Sequence, residues 1–235
     1  MSRPADPTPE SELVARAIRT PRAAALAGIV FSVIFAAGLV LLRTAVPTDP
    51  ADAGRWLTDG SRRSSVLVAL ALVPFAGIAF LWFVGVLRDR VGEAEDRFFA
   101  TVFLGSGLLF VGMLFVAAAA GAGLVAGAGQ NADGLLASGA WSFGRRATYE
   151  LMNVYALRMA AVFTLATSTI LMRTGLAPRS LIASGYVVAL LLLVGVGFVV
   201  WIELIFPAWV LALSLYVLTA GRRIGHAGAV PRSPA

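Results

Sequence analysis

The chain has 235 residues, 59% of them hydrophobic and only 14% charged, with a mean hydropathy of +0.84. Ordinary soluble domains hold about 45–50% apolar residues even with glycine counted, so the composition excludes an ordinary soluble fold and points to helices in a lipid bilayer. The net charge of +6 comes from 19 basic residues that are all arginine and that flank apolar runs, which selects anionic lipid headgroups over nucleic acid as partners. The absence of cysteine, with His226 in the tail the only histidine, excludes disulfides, thiolate-held metals and, inside the membrane, a bis-His haem and a His-assisted serine nucleophile, and no cofactor or metal is expected.

Residues 1–22 are polar, but Thr8 and Pro9 offer a helix start, and Leu13, Val14, Ala17 and Ile18 share one helical face. This segment reads as a short basic helix on the inner membrane surface or as an unstructured tail. A transmembrane domain over 23–220 follows, then a cytoplasmic tail over 221–235. The first span, 23–42, exceeds the apolar core of a signal peptide and lacks a clear small-residue cleavage site, so it is expected to be retained. In the connection 43–64, Asp49 and Pro50 suit a helix start, while Trp56 and Leu57 are expected to anchor at the interface.

The second span, 65–87, carries Pro74 and Gly77, and Pro74 removes a helical hydrogen-bond donor, so a kink is expected. Residues 88–97 form a short charged turn in which Glu93 and Arg97 stand at i, i+4. The third span starts near Phe98 and ends in small residues whose spacings, Gly123 to Gly127 among them, permit close helix contact and self-association. Residues 128–149 read as a second loop. The fourth span runs from about Glu150 to Met172. The apolar run 181–218 is too long for one crossing and suits two, turning around Glu203 to Pro207.

The resulting fold is an all-α, polytopic transmembrane helix bundle of six spans. Twelve arginines lie on the side of the N-terminus and six on the other, with Arg158 inside a span, so both termini are expected in the cytoplasm of a cell whose inner membrane the chain crosses repeatedly.

At 100° per residue, Glu150, Asn153, Thr164, Thr167 and Ser168 share one side of the fourth span, with Arg158 at its edge. Charged groups in a span usually face the bundle interior or a wet cavity. Glu203 lies at a turn on the side where the fourth span begins, which makes Arg158 its expected partner. Two readings follow: a structural clamp between helices, or a site in which Glu150, Asn153, Arg158, Thr164, Ser168 and Glu203 line a path for an ion or small polar solute. Neither the Gly-Ser-Gly at 105–107 nor the glycine-rich stretch 121–129 carries the spacing of a nucleophile elbow or a phosphate loop, so no enzyme is expected.

The Arg-flanked first span, short charged inner loops and final tight hairpin resemble the small, functionally uncharacterised six-span membrane proteins of high-GC, actinobacterial-type bacteria. A second likeness, to six-span tetrameric potassium channels whose first helix carries Arg followed by Phe-Ser-Asp, rests on Phe31 and Ser32. Val33 stands where the acid belongs, so no channel residue carries over. The expected function is a binding or permeation module for a small solute or ion; the alternative is an accessory subunit of a homo-oligomer or larger membrane complex.

Overall fold

The computed structural model describes residues 21–46, 54–91, 97–195 and 201–227. Every element among them is helical: α1 (Pro21–Ala45), a 3-10 turn (Arg55–Thr58), α2 (Gly60–Val91), α3 (Arg97–Ala137), α4 (Gly139–Tyr149), a π-helical segment (Glu150–Ala156), α5 (Leu157–Thr174), α6 (Arg179–Val194), a second 3-10 turn (Ile202–Leu204) and α7 (Ile205–Ala227). Five helical runs are long and apolar enough to cross a membrane: Arg22–Ala45, Gly60–Arg88, Phe98–Ala137, Gly139–Thr174 and Ile202–Ala220. The sixth expected span corresponds to α6, which has 16 residues and at 1.5 Å each is about 24 Å long, short of a hydrocarbon core of about 30 Å. Leu26 and Val33 on α1, Phe75 and Ile78 on α2, Leu108 and Val116 on α3, and Leu190 and Val194 on α6 all point outward. Apolar surface spread over four helices is costly in water and suits hydrocarbon.

Phenylalanines fill the middle of the bundle. Phe31 and Phe35 from α1, Phe80 from α2, Phe110 from α3, Phe163 from α5 and Phe206 from α7 are buried together. The Phe80 ring centroid lies 4.7 Å from that of Phe31, 5.1 Å from Phe110 and 5.0 Å from Phe163, with tilted or edge-on rings, the arrangements aromatic quadrupoles favour. Close helix approach comes from glycines other than the pair the sequence singles out. A side chain at Gly28 would strike Ser214 and Phe83, one at Gly77 would strike Phe115, and one at Gly185 would strike Ser168 and Trp209. Gly123 instead faces open space and Gly127 meets only Leu135 at 3.9 Å. Small-residue spacing marks where helices can touch but not which face turns inward.

Two expectations need correction, the loop over 128–149 and the bounds of the last turn. Helix α2 is continuous from Gly60 to Val91 with Pro74 inside it, exposed on the outer face while Ala76 and Phe80 turn inward, and the expected kink there is neither borne out nor overturned. The stretch 128–149 is helical rather than a loop: α3 breaks at Asn131 (φ −154°, ψ 86°), but the Asn131 Oδ1 accepts from the Gly134 N–H at 2.9 Å and caps the next turn. The last turn takes in Glu203 but not Pro207: α6 closes at Gly195, whose N–H donates to the Leu191 carbonyl at 2.7 Å, Glu203 lies in the second 3-10 turn, and α7 starts at Ile205. Pro207 sits in the first turn of α7, where its missing N–H costs nothing. The interfacial helix expected over 8–22 falls almost wholly, and the Asp49–Pro50 start, the Glu93 and Arg97 pair and residues 228–235 wholly, outside the residues whose structure or side chains are described.

Trp56 and Leu57 do more than rest at an interface: both are buried, in a second cluster with Val66, Val125 and Trp141. Gly54 enters this turn with φ +97°, and a side chain there would meet Leu136 and Trp141 at 2.7 Å, so only glycine fits. Asp59 then caps α2, its Oδ1 accepting from the Ser61 N–H at 2.9 Å and the Ser61 hydroxyl at 2.7 Å. The Ser61 hydroxyl, and then the Ser61 amide, hold the Asp59 carboxyl below its usual value. A lowered native value means that the unfolded end binds protons more readily. The cap is therefore expected to stabilise α2 fully above the ordinary carboxylate range and to fade as pH falls through the native value. Exchange of the Ser61 and Arg62 amide protons, corrected for intrinsic pH dependence, should accelerate there, and should not in Asp59→Asn.

Candidate functional site

At the Trp56 and Trp141 end of the bundle, α1, α2 and α3 line a half-open cavity of about 960 Å³. Its walls are apolar: Ile34, Phe35 and Leu42 from α1, Leu70, Val73 and Ala76 from α2, Leu114, Ala118 and Val125 from α3. The space exists because Gly38, Ala69, Ala117 and Gly121 supply small or absent side chains along the same walls. Along α1 the lining runs from Ile34 to Val46, about 18 Å, and along α2 from Val66 to Ala76, about 15 Å. The deep end reaches Phe35, whose ring lies 5.3 Å from Phe31 and 5.9 Å from Phe110. The phenylalanine layer is therefore the cavity floor.

The polar groups gather at the other end. Ser142, Arg145, Arg146 and Thr148 come from α4, Glu150 and Asn153 from the π-helical segment, Arg43 from the last turn of α1 and Glu203 from the second 3-10 turn. Arg145, Arg146 and Glu150 are exposed and Asn153 is buried, its amide donating to the Tyr149 carbonyl at 3.2 Å. Among the described residues no ion pair holds Arg145 or Arg146.

Glu203 is 4% exposed and bonds to the Arg43 guanidinium. The expected Arg158 partner is thus corrected. Arg158 Nη1 donates to the Val154 carbonyl of its own helix at 3.2 Å and does not line the cavity. Arg43 also stands over the Trp201 ring, 5.9 Å from its centroid. Trp201 is the only described non-glycine residue with positive φ, 68°. A bulky residue holds such a backbone only where its surroundings impose it, and here Arg43 touches both Trp201 and Glu203, two residues on.

The polar face expected along the fourth span divides in two. Glu150, Asn153 and Glu203 line the cavity; Arg158, Thr164 and Ser168 do not. The Thr164 hydroxyl donates to the Ala160 carbonyl at 2.8 Å and the Thr167 hydroxyl to the Phe163 carbonyl at 2.7 Å, both buried. Among the described residues Ser168 Oγ has no hydrogen-bond partner, and it fills the space left by the absent side chain of Gly185. Depth excludes Thr164 and Ser168, which stand one and five residues past Phe163 of the phenylalanine floor. The π-helical segment adds to this for Arg158, since its wider turn advances less angle per residue than an α-helix and shifts residues past Ala156 from the face that a constant 100° assigns. Three arginines that the sequence reading left as flanks, Arg43, Arg145 and Arg146, belong to the site instead.

Among the described residues no group of His, Asp or Glu side chains is placed to hold a metal ion. Compared with protein-family models, with curated proteins and with solved structures, the chain shows no match.

Proposed function

We propose that the protein is a six-span, inner-membrane binding module with both termini in the cytoplasm, which holds one small molecule in the cavity at its outer end and catalyses no reaction. The observation that carries this reading is the cavity itself, about 960 Å³, at the upper end of the roughly 300–1,000 Å³ usual for ligand sites. A space of that size with apolar walls is far larger than an ion needs and offers a bare ion nothing to replace its hydration shell. The phenylalanine floor and the closed hydroxyls of Thr164 and Thr167 speak against a wet path beyond it. In liposomes, the protein is expected to leave potassium and small-solute fluxes at the level of empty vesicles. Gently purified protein should retain one molecule per chain, seen by native mass spectrometry, and Ala118→Phe with Gly121→Leu should lose it. Flux well above empty vesicles would reject this reading in favour of permeation.

A second reading, as an accessory subunit packed against another membrane chain, draws on the outer face of α3, where exposed Gly112 and Gly123 have open space beside them. Close packing of a neighbouring helix would occupy it. The two readings are compatible, since this face and the cavity are separate.

A further inference from the structure

We infer that the ligand of this cavity is a phospholipid-like amphiphile with an anionic phosphate headgroup, held by Arg145 and Arg146 at the rim with its hydrocarbon chain along the apolar walls. This rests on the binding reading above and names the class of molecule bound.

Length argues for the chain. The apolar lining extends about 12 Å along α1, from Ile34 to Leu42, and about 15 Å along α2, from Val66 to Ala76, close to half of a bilayer core of about 30 Å, the depth of one leaflet. The floor at Phe35 would stop a chain at that depth. A polar solute would desolvate against Leu70, Val73 and Leu114 with nothing to bond to. A hydrocarbon chain meets the same walls without that cost.

Charge argues for the head. Three arginines and two glutamates line the cavity, leaving one net positive charge. Arg43 is committed to Glu203, while Arg145 and Arg146 are exposed at the rim with no ion pair among the described residues. Guanidinium groups bind phosphate oxygens in pairs of parallel hydrogen bonds, and basic pockets between membrane helices take anionic headgroups. Glu150 on the same rim repels a second negative charge, which favours a headgroup with a single net charge over a polyanion. A quaternary ammonium such as choline gains nothing from the two arginines.

The test is native mass spectrometry of the full chain in a neutral detergent, titrated with phosphatidylglycerol or phosphatidylcholine of identical acyl chains. One phosphatidylglycerol per chain is expected, bound at least tenfold more tightly than phosphatidylcholine, with no competition from inorganic phosphate at equal concentration. Arg145→Gln with Arg146→Gln, both exposed and so without effect on folding, should bring phosphatidylglycerol down to the phosphatidylcholine level. Arg62→Gln with Arg63→Gln, a neighbouring pair outside the cavity, should change nothing. Equal binding of both lipids, unaffected by Arg145 and Arg146 but lost on Ala118→Phe with Gly121→Leu, would overturn the headgroup assignment while leaving the cavity a binding site. Failure of the cavity-filling variant, shown to be folded, to alter lipid binding would overturn both.

Discussion

Phe80→Ala should destabilise the bundle by about 3–5 kcal/mol, the usual cost of removing a fully buried phenylalanine. Its ring touches those of Phe31, Phe83, Phe110, Phe163 and Phe206, on five helices in all counting its own. In a membrane, helices gain little from leaving lipid for one another, so packing of this kind carries much of their association. Phe75→Ala on the same helix makes the control, since Phe75 is 63% exposed on the outer face and its loss should cost under about 1 kcal/mol. Unfolding of the purified protein in mixed micelles would measure both. Equal losses would mean that the phenylalanine layer is not the centre of the bundle.

The second large effect concerns Arg43 and Glu203, and it should be unequal between the partners. Arg43→Gln leaves a carboxylate that is 6% exposed without its cation, and breaking a buried pair in this way costs about 3–5 kcal/mol. Glu203→Gln leaves an arginine whose side chain is 34% exposed and can turn toward water, so its loss should be nearer 1 kcal/mol. The double variant should then resemble Glu203→Gln alone, with a positive coupling in the double-mutant cycle. Arg158→Gln should show no coupling to Glu203. Coupling between Glu203 and Arg158, with none to Arg43, would contradict the arrangement.

What the sequence made legible follows from which physical signal each feature carries. Long apolar runs need no partner to be recognised, so the helical bundle was readable, as was the sinking of Glu203 in a turn with no polar neighbours to lift it. Its partner was not, because several arginines stand on the same side of the bundle and charge alone does not rank them; Arg43 wins because α1 ends beside the second 3-10 turn. The polar face of the fourth span was half right. Glu150 and Asn153 both stand in the π-helical segment and line the cavity, while Thr164 and Ser168 lie past the phenylalanine layer, and no composition signal announces a π-helical segment. Arg145 and Arg146 were hidden by the reading of 128–149 as a loop, since the glycines and the Asn-Ala-Asp-Gly stretch resemble a break. They permit one only at Asn131, whose side chain then restarts the helix. The cavity itself has no linear signature: it is the sum of small residues on three helices that meet only in the folded molecule.

That the cavity stops at the phenylalanine layer is most directly tested by thiol labelling, for which a chain without cysteine gives no background. Single-cysteine variants at Thr148 and Asn153, which line the cavity, would be compared with variants at Thr164 and Ser168, which are fully buried past it. A charged, water-soluble methanethiosulfonate should modify the first two readily and the second two at no more than the rate of an occluded core position. Comparable labelling at all four would show water running the length of the fourth span and would contradict the account.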